Sequence, residues 1–191
     1  MSAGARRAQL LDVTRDIAAA DGFGAITIDR VARQSGVTRT LVYHQFGDLH
    51  GVITALIERE SATAAAGILS VDRRVSKDAQ EEADRLCRGV LDYLHAAPTS
   101  WRLILNPPAD GPPDLQDRIE RGRSYARRIA ARHVSRLAGR PVDPDGPTMR
   151  VLLAANEEMA RLHLGEPSRF PDEVVLSHFR SLLEWAAAVQ P

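Results

Sequence analysis

The residues best spaced to do chemistry lie between Thr27 and Phe46. Thr27 and Thr38 each stand just before an apolar-periodic stretch, where a hydroxyl oxygen can accept from an unpartnered N–H of a first helical turn. Between them, Ala32 is small enough for two helices to cross closely. Four residues later, Gly36 supplies the positive φ that a tight turn needs without a Cβ clash. Val31, Val37, Val42 and Phe46 are apolar at positions that would pin such a helix pair onto a preceding helix. The pattern reads as a helix-turn-helix, and the helix capped by Thr38 would point its N-terminal end into a DNA major groove. The same spacing also occurs in unrelated helix pairs.

Other chemistry is poorly represented. The six histidines are scattered, and there is no HExxH, no glycine-rich phosphate loop and no GxSxG elbow. Asp92 and His95 share a helix face, but two ligands do not hold a metal. No catalytic residue, metal or cofactor is therefore expected, and an enzyme is the weakest reading. The single cysteine, Cys87, excludes an intrachain disulfide and any multi-cysteine metal centre. Its thiol reads as buried and inert, with redox sensing as the alternative.

Lys and Arg number 25 against 25 Asp and Glu, so the chain as a whole is no generic binder of polyanions. Residues 1–50 carry six Arg against five acids, so DNA affinity would rest on placed side chains rather than a diffuse basic field. Hydrophobic residues make up 44% of the chain, enough to bury a core. The N-terminus lacks the apolar segment of a secretion signal, and no run approaches the ~20 apolar residues of a membrane span. No membrane and a cytoplasmic location are expected.

The elements that must position these residues are helical throughout. Leu10, Val13, Ile17 and Ala18 form one apolar stripe ending at Asp21-Gly22. Thr27 opens a short second helix, Thr38 a third, and Gly47-Asp48 a fourth running towards Ser70. Ala83, Leu86, Val90 and Leu94 mark a helix over 77–97, followed by the apolar segment Trp101 to Leu105. Four prolines and a glycine make residues 106–114 an irregular loop. A long helix follows over 114–138, then two more at about 148–164 and 172–189. No useful β-alternation or internal repeat appears. The fold class is all-α, with a helix-turn-helix domain over 1–50 and a larger helical domain over 51–191.

The run from Gly22 to Ile53 resembles the N-terminal domain of the TetR (tetracycline-repressor-like) family of regulators. Phe23, Thr27, Ala32, Gly36, Val37, Tyr43, His44 and Phe46 stand at the matching places. The resemblance covers only this N-terminal part of the chain, and the remaining length suits that family's effector-binding and dimerisation domain. It implies that Thr27 and Tyr43 donate to phosphates through their hydroxyls and His44 through a ring nitrogen. Thr38 would begin the recognition helix, with Arg39, Thr40 and Gln45 reaching groove edges, where Arg suits guanine and Gln suits adenine. The alternatives are packing for Tyr43, and a plain solvated face for Arg39, His44 and Gln45. Three positions depart from the family pattern. Thr40 stands where a small residue is usual, and Leu41, where Thr is usual, offers only apolar contact to a thymine methyl. Leu49 replaces a frequent phosphate-binding Lys, with His50 beside it. An atypical operator and weaker phosphate anchoring follow.

The resemblance also implies an effector pocket in the larger domain, with Tyr93, Trp101, His133, Asn156 and Met159 as candidates; the alternative for each is ordinary core. It implies a homodimer through the last two helices, and the 172–189 helix carries more large apolar groups than one monomer face hides. The expected function is a ligand-responsive regulator, most readily a repressor released from a palindromic double-stranded DNA operator by a small molecule. The alternative, suggested by Leu41 and Leu49, is a helical protein-interaction module that has lost DNA binding.

Overall fold

Each early helix starts and stops where its sequence provides a cap. In the computed structural model, which describes residues 2–72, 78–108, 111 and 115–189, α1 (Ala3–Asp21) begins at Ser2, whose side chain accepts from the Ala5 N–H. It ends at Gly22, and a single 3-10 turn over Phe23–Ala25 follows. The Thr27 side chain accepts from the Arg30 N–H to open α2 (Ile28–Ser35). Thr38 does the same from Leu41 for α3 (Arg39–Phe46). Between them Gly36 sits at φ 66°, ψ 34°, the left-handed region that an L side chain rarely adopts. Helices over Leu115–Ala138, Pro147–Gly165 and Asp172–Ala188 lie close to the ranges the periodicity predicts.

The later helices are α4 (Leu49–Asp72), α5 (Ala79–Ala96), α6 (Pro98–Leu105), α7 (Leu115–Ala138), α8 (Pro147–Gly165) and α9 (Asp172–Ala188). The architecture is all-α, with no strand among the described residues. No helix there is long and apolar enough to cross a membrane. The expected loop over 106–114 falls partly outside the described residues; 106–108 and 111 are non-helical.

The chain forms two compact units. The first holds residues 1–62 and 99–118, and the second residues 63–98 and 119–191. The unit carrying the helix-turn-helix thus reaches past residue 50. Its extra contacts include a hydrogen bond from the Ser100 hydroxyl to buried Glu60 and an ion pair of Arg118 with Glu58. Its core is built from Leu10, Ile17, Ile26, Val31, Val42, Val52 and Leu56, all almost fully buried.

In the second unit α9 packs against α8 and α5. Val175, Phe179, Leu183 and Ala186 form its buried stripe, and Arg180 binds Asp84 of α5 at 2.8 Å. The long α7 is Arg-rich on two sides with different roles. Arg128, Arg132 and Arg136 on α7 and Arg140 just past its end, spaced by four, are all exposed. Arg127 is buried, held by Glu120 and Asp145 at 2.9 Å each. Burial works against its charge, but the two carboxylates prevail and its pKa is raised.

Candidate nucleic-acid interface

A recognition helix must bury one face to be rigid and leave the other for DNA, and α3 is divided in this way. Val42 is fully buried, and α3 packs against α2. Thr38, Arg39, Thr40, Tyr43 and His44 are all exposed. Tyr43 keeps 45% of its surface in solvent. Thr27 is exposed at the start of α2. The oxygens of Thr27 and Thr38 accept cap hydrogen bonds, which leaves each hydroxyl hydrogen available to donate outward. Leu41 and Gln45 are half-buried, so both present less to a groove than the sequence pattern suggests.

Arg39 is not a bare cation. Its Nε lies 2.9 Å from Asp29 Oδ1 on α2, and both side chains are more than half exposed. Such a pair is worth about 0–1 kcal/mol and yields readily to a guanine edge or a phosphate. Asp29 itself caps nothing, but its charge suits the positive end of α2.

Contacts that no motif announced fix the orientation of α3. The Arg7 guanidinium lies over the Phe46 ring, 4.3 Å from its centroid, and donates to the Gln45 carbonyl at 2.5 Å. Arg30 binds Asp21 and ties α2 to the end of α1. Gln9 Nε2 reaches the Ser35 carbonyl at 3.5 Å, near the turn. At the other end Asp48 Oδ1 accepts from the Gly51 N–H at 2.8 Å, opening α4. A Cβ on Gly51 would collide with the Phe46 carbonyl oxygen and lie 3.0 Å from its carbon. Gly51 is therefore what lets α4 start directly beneath the end of α3. Sequence spacing carries no signal for this, because the obstacle is a backbone atom of another helix.

The proposed effector residues are divided between the two units. Trp101 lies on α6 in the first; Tyr93, His133, Asn156 and Met159 lie in the second. Buried His133 places Nδ1 3.0 Å from Glu82 Oε1, and Arg136 binds the other oxygen of the same carboxylate. Asn156 Oδ1 is buried without a hydrogen-bond partner among the described residues. Tyr93, Trp101 and Met159 are half-buried. Within the first unit a cavity of about 340 Å³ is lined by Ala18, Phe23, Arg102, Leu103 and Asn106 among others, and by none of the five candidates. Cys87 is buried in α5, and that burial pushes its thiol pKa up to about 12.

Comparison with known proteins bears on this arrangement. Residues 10–56 match the family model described as bacterial regulatory proteins, tetR family. A TetR-like transcriptional regulator from Rhodococcus sp. RHA1 is similar over 100% of both chains, with TM-score 0.73 and 17% identity. The fatty acid degradation regulator FadR from Bacillus halodurans aligns over 96% of this chain and 97% of its own, with TM-score 0.75 and 14% identity. A tetR-family transcriptional regulator from Streptomyces coelicolor covers 100% of this chain and 85% of its own, with TM-score 0.70 and 21% identity. No curated protein sequence matches. At these identities the structural likenesses establish the fold; the match over 10–56 addresses the helix-turn-helix itself.

Proposed function

Since this chain is a TetR-family regulator, carrying that family's DNA-binding domain on its fold, we propose that it represses transcription from a palindromic operator and is released by a small molecule. The observation that carries the DNA reading is the outward face of α3, where Arg39, Thr40, Tyr43 and His44 stand in solvent around a fully buried Val42. Thr27, Tyr43 and His44 would bind phosphates and set the register. Thr38, Arg39 and Thr40 would face base edges, with Leu41 and Gln45 contributing from the helix flank. Acting on DNA, the protein would work in the bacterial cytoplasm.

A homodimer through α8 and α9 is part of the reading. Val151 on α8 is 53% exposed, and Val174 and Trp185 on α9 are 36% and 38% exposed. Those apolar groups gain from being covered by a second copy. Two recognition helices about 34–36 Å apart would then meet successive major grooves on one side of the duplex. The unpartnered Asn156 Oδ1 supports an effector contact in the second unit. An effector would act by preferring a spacing of the two recognition helices that the operator does not fit.

The test is a gel shift of the full chain on the intergenic DNA flanking its own gene, at several salt concentrations. A sequence-selective, salt-sensitive shift that a compound abolishes is the expected result. Absence of any selective shift would support the interaction-module alternative instead.

A further inference from the structure

We propose that the end of α5, the end of α8 and the start of α9 form a site for one divalent transition-metal ion of the zinc class. The ligands are His95 Nε2, His163 Nε2 and Asp172 Oδ1. The two imidazole nitrogens are 3.0 Å apart. Asp172 Oδ1 lies 3.2 Å from His95 Nε2 and 3.7 Å from His163 Nε2. A tetrahedral ion with bonds of about 2.0–2.1 Å holds adjacent ligand atoms about 3.3–3.4 Å apart. The three separations straddle that value, so an ion fits with side-chain adjustments of a few tenths of an ångström.

The surroundings prepare the ligands. His163 Nδ1 is 2.8 Å from the Phe170 carbonyl oxygen, which only accepts, so Nδ1 carries the hydrogen. In the neutral ring Nε2 then keeps its lone pair directed at the cluster. A ligating imidazole is usually oriented by such a contact through its other nitrogen. His163 is only 5% exposed and is held in place, whereas His95 and Asp172 are open to solvent. The ion would have a route in and a fourth position for water.

Without an ion, a single hydrogen on His95 Nε2 must serve both His163 Nε2 and Asp172 Oδ1. A metal gives each of the three atoms its own bond, with the His95 hydrogen moved from Nε2 to Nδ1. Two imidazoles with one carboxylate suit Zn²⁺, Co²⁺ or Ni²⁺ rather than Ca²⁺ or Mg²⁺, which prefer oxygen ligands. Binding would clamp the α8–α9 corner to α5, a coupling between three helices that pack together in this unit. The site rests on these distances alone and does not depend on the DNA reading.

The test uses the full chain after chelation and removal of the chelator, titrated with Co²⁺ alone and then with Zn²⁺. The expected result is saturation at one Co²⁺ per chain with visible d–d absorption of a low-coordinate site, displacement by Zn²⁺ and a raised melting temperature. His95→Ala and Asp172→Asn, both at exposed positions, should each weaken binding at least tenfold while circular dichroism stays unchanged. His178→Ala, on the exposed side of α9, should bind like the parent. No saturable binding near one equivalent, full binding by both ligand variants, or equal loss in His178→Ala would each overturn the proposal.

Discussion

Gly51→Ala separates a helix-propensity effect from a packing effect because the two have opposite signs. Gly51 lies in the first turn of α4, where alanine in place of glycine ordinarily stabilises a helix by about 1 kcal/mol. The added methyl, however, would collide with the Phe46 carbonyl oxygen and sit 3.0 Å from its carbon. Carbon atoms in contact prefer about 3.5–4.0 Å, so the start of α4 must withdraw by at least ~0.5 Å from the end of α3. The obstacle is backbone closing the recognition helix, which cannot swing aside like a side-chain tip. Overpacking costs about 1–3 kcal/mol, and this site belongs at the upper end, leaving a net loss of about 2 kcal/mol. Gly122→Ala is the matched control, since a Cβ there meets nothing within 4 Å and lies within α7. It should stabilise by about 1 kcal/mol. Urea unfolding of both variants at equal protein concentration reads the difference. If Gly51→Ala stabilises as Gly122→Ala does, the close approach of α3 and α4 is refuted.

Cys87, with its pKa pushed up to about 12, should be about 10⁻⁴ ionised at pH 8, so a thiol reagent should label the native chain far more slowly than the unfolded one. Because folding raises this pKa from 9.0, the contribution is intact below pH 9 and stability is lost as pH rises from there towards 12; native labelling at the unfolded rate would contradict the burial. Trp185→Glu puts a charge on the exposed apolar side of α9 and should shift the chain from dimer to monomer in sedimentation, with little change in helicity. Asp29→Asn removes the exposed partner of Arg39 and should change stability by less than about 1 kcal/mol. The same change should tighten DNA binding severalfold by fluorescence anisotropy, and weaker binding would show that the pair orients Arg39 productively.

What the sequence made legible was local. Thr27, Gly36 and Thr38 act through hydrogen bonds and backbone angles within three or four residues, so their caps and turn fall where the pattern puts them. Helix periodicity likewise located α7, α8 and α9, because apolar stripes repeat within a helix. What escaped the pattern depends on partners far along the chain. Arg7 on Phe46, Gly51 beneath the Phe46 carbonyl and Arg39 beside Asp29 are contacts between elements. His133 reads as a polar residue near an apolar stripe, yet its neighbour is Glu82 from a separate helix. In the sequence His95 shares a helix face with Asp92, whereas the structure brings it to His163, 68 residues away, and to Asp172.

Recognition of DNA by α3 is tested most directly by selecting binding sites from a random duplex library with the full chain. At near-physiological salt the selected sequences should converge on a palindrome whose half-sites lie one helical turn apart. Arg39→Ala should relax the preference at one base position in each half-site, while Tyr43→Phe should weaken all sequences alike. Failure of any sequence to enrich above the starting library would contradict the central claim.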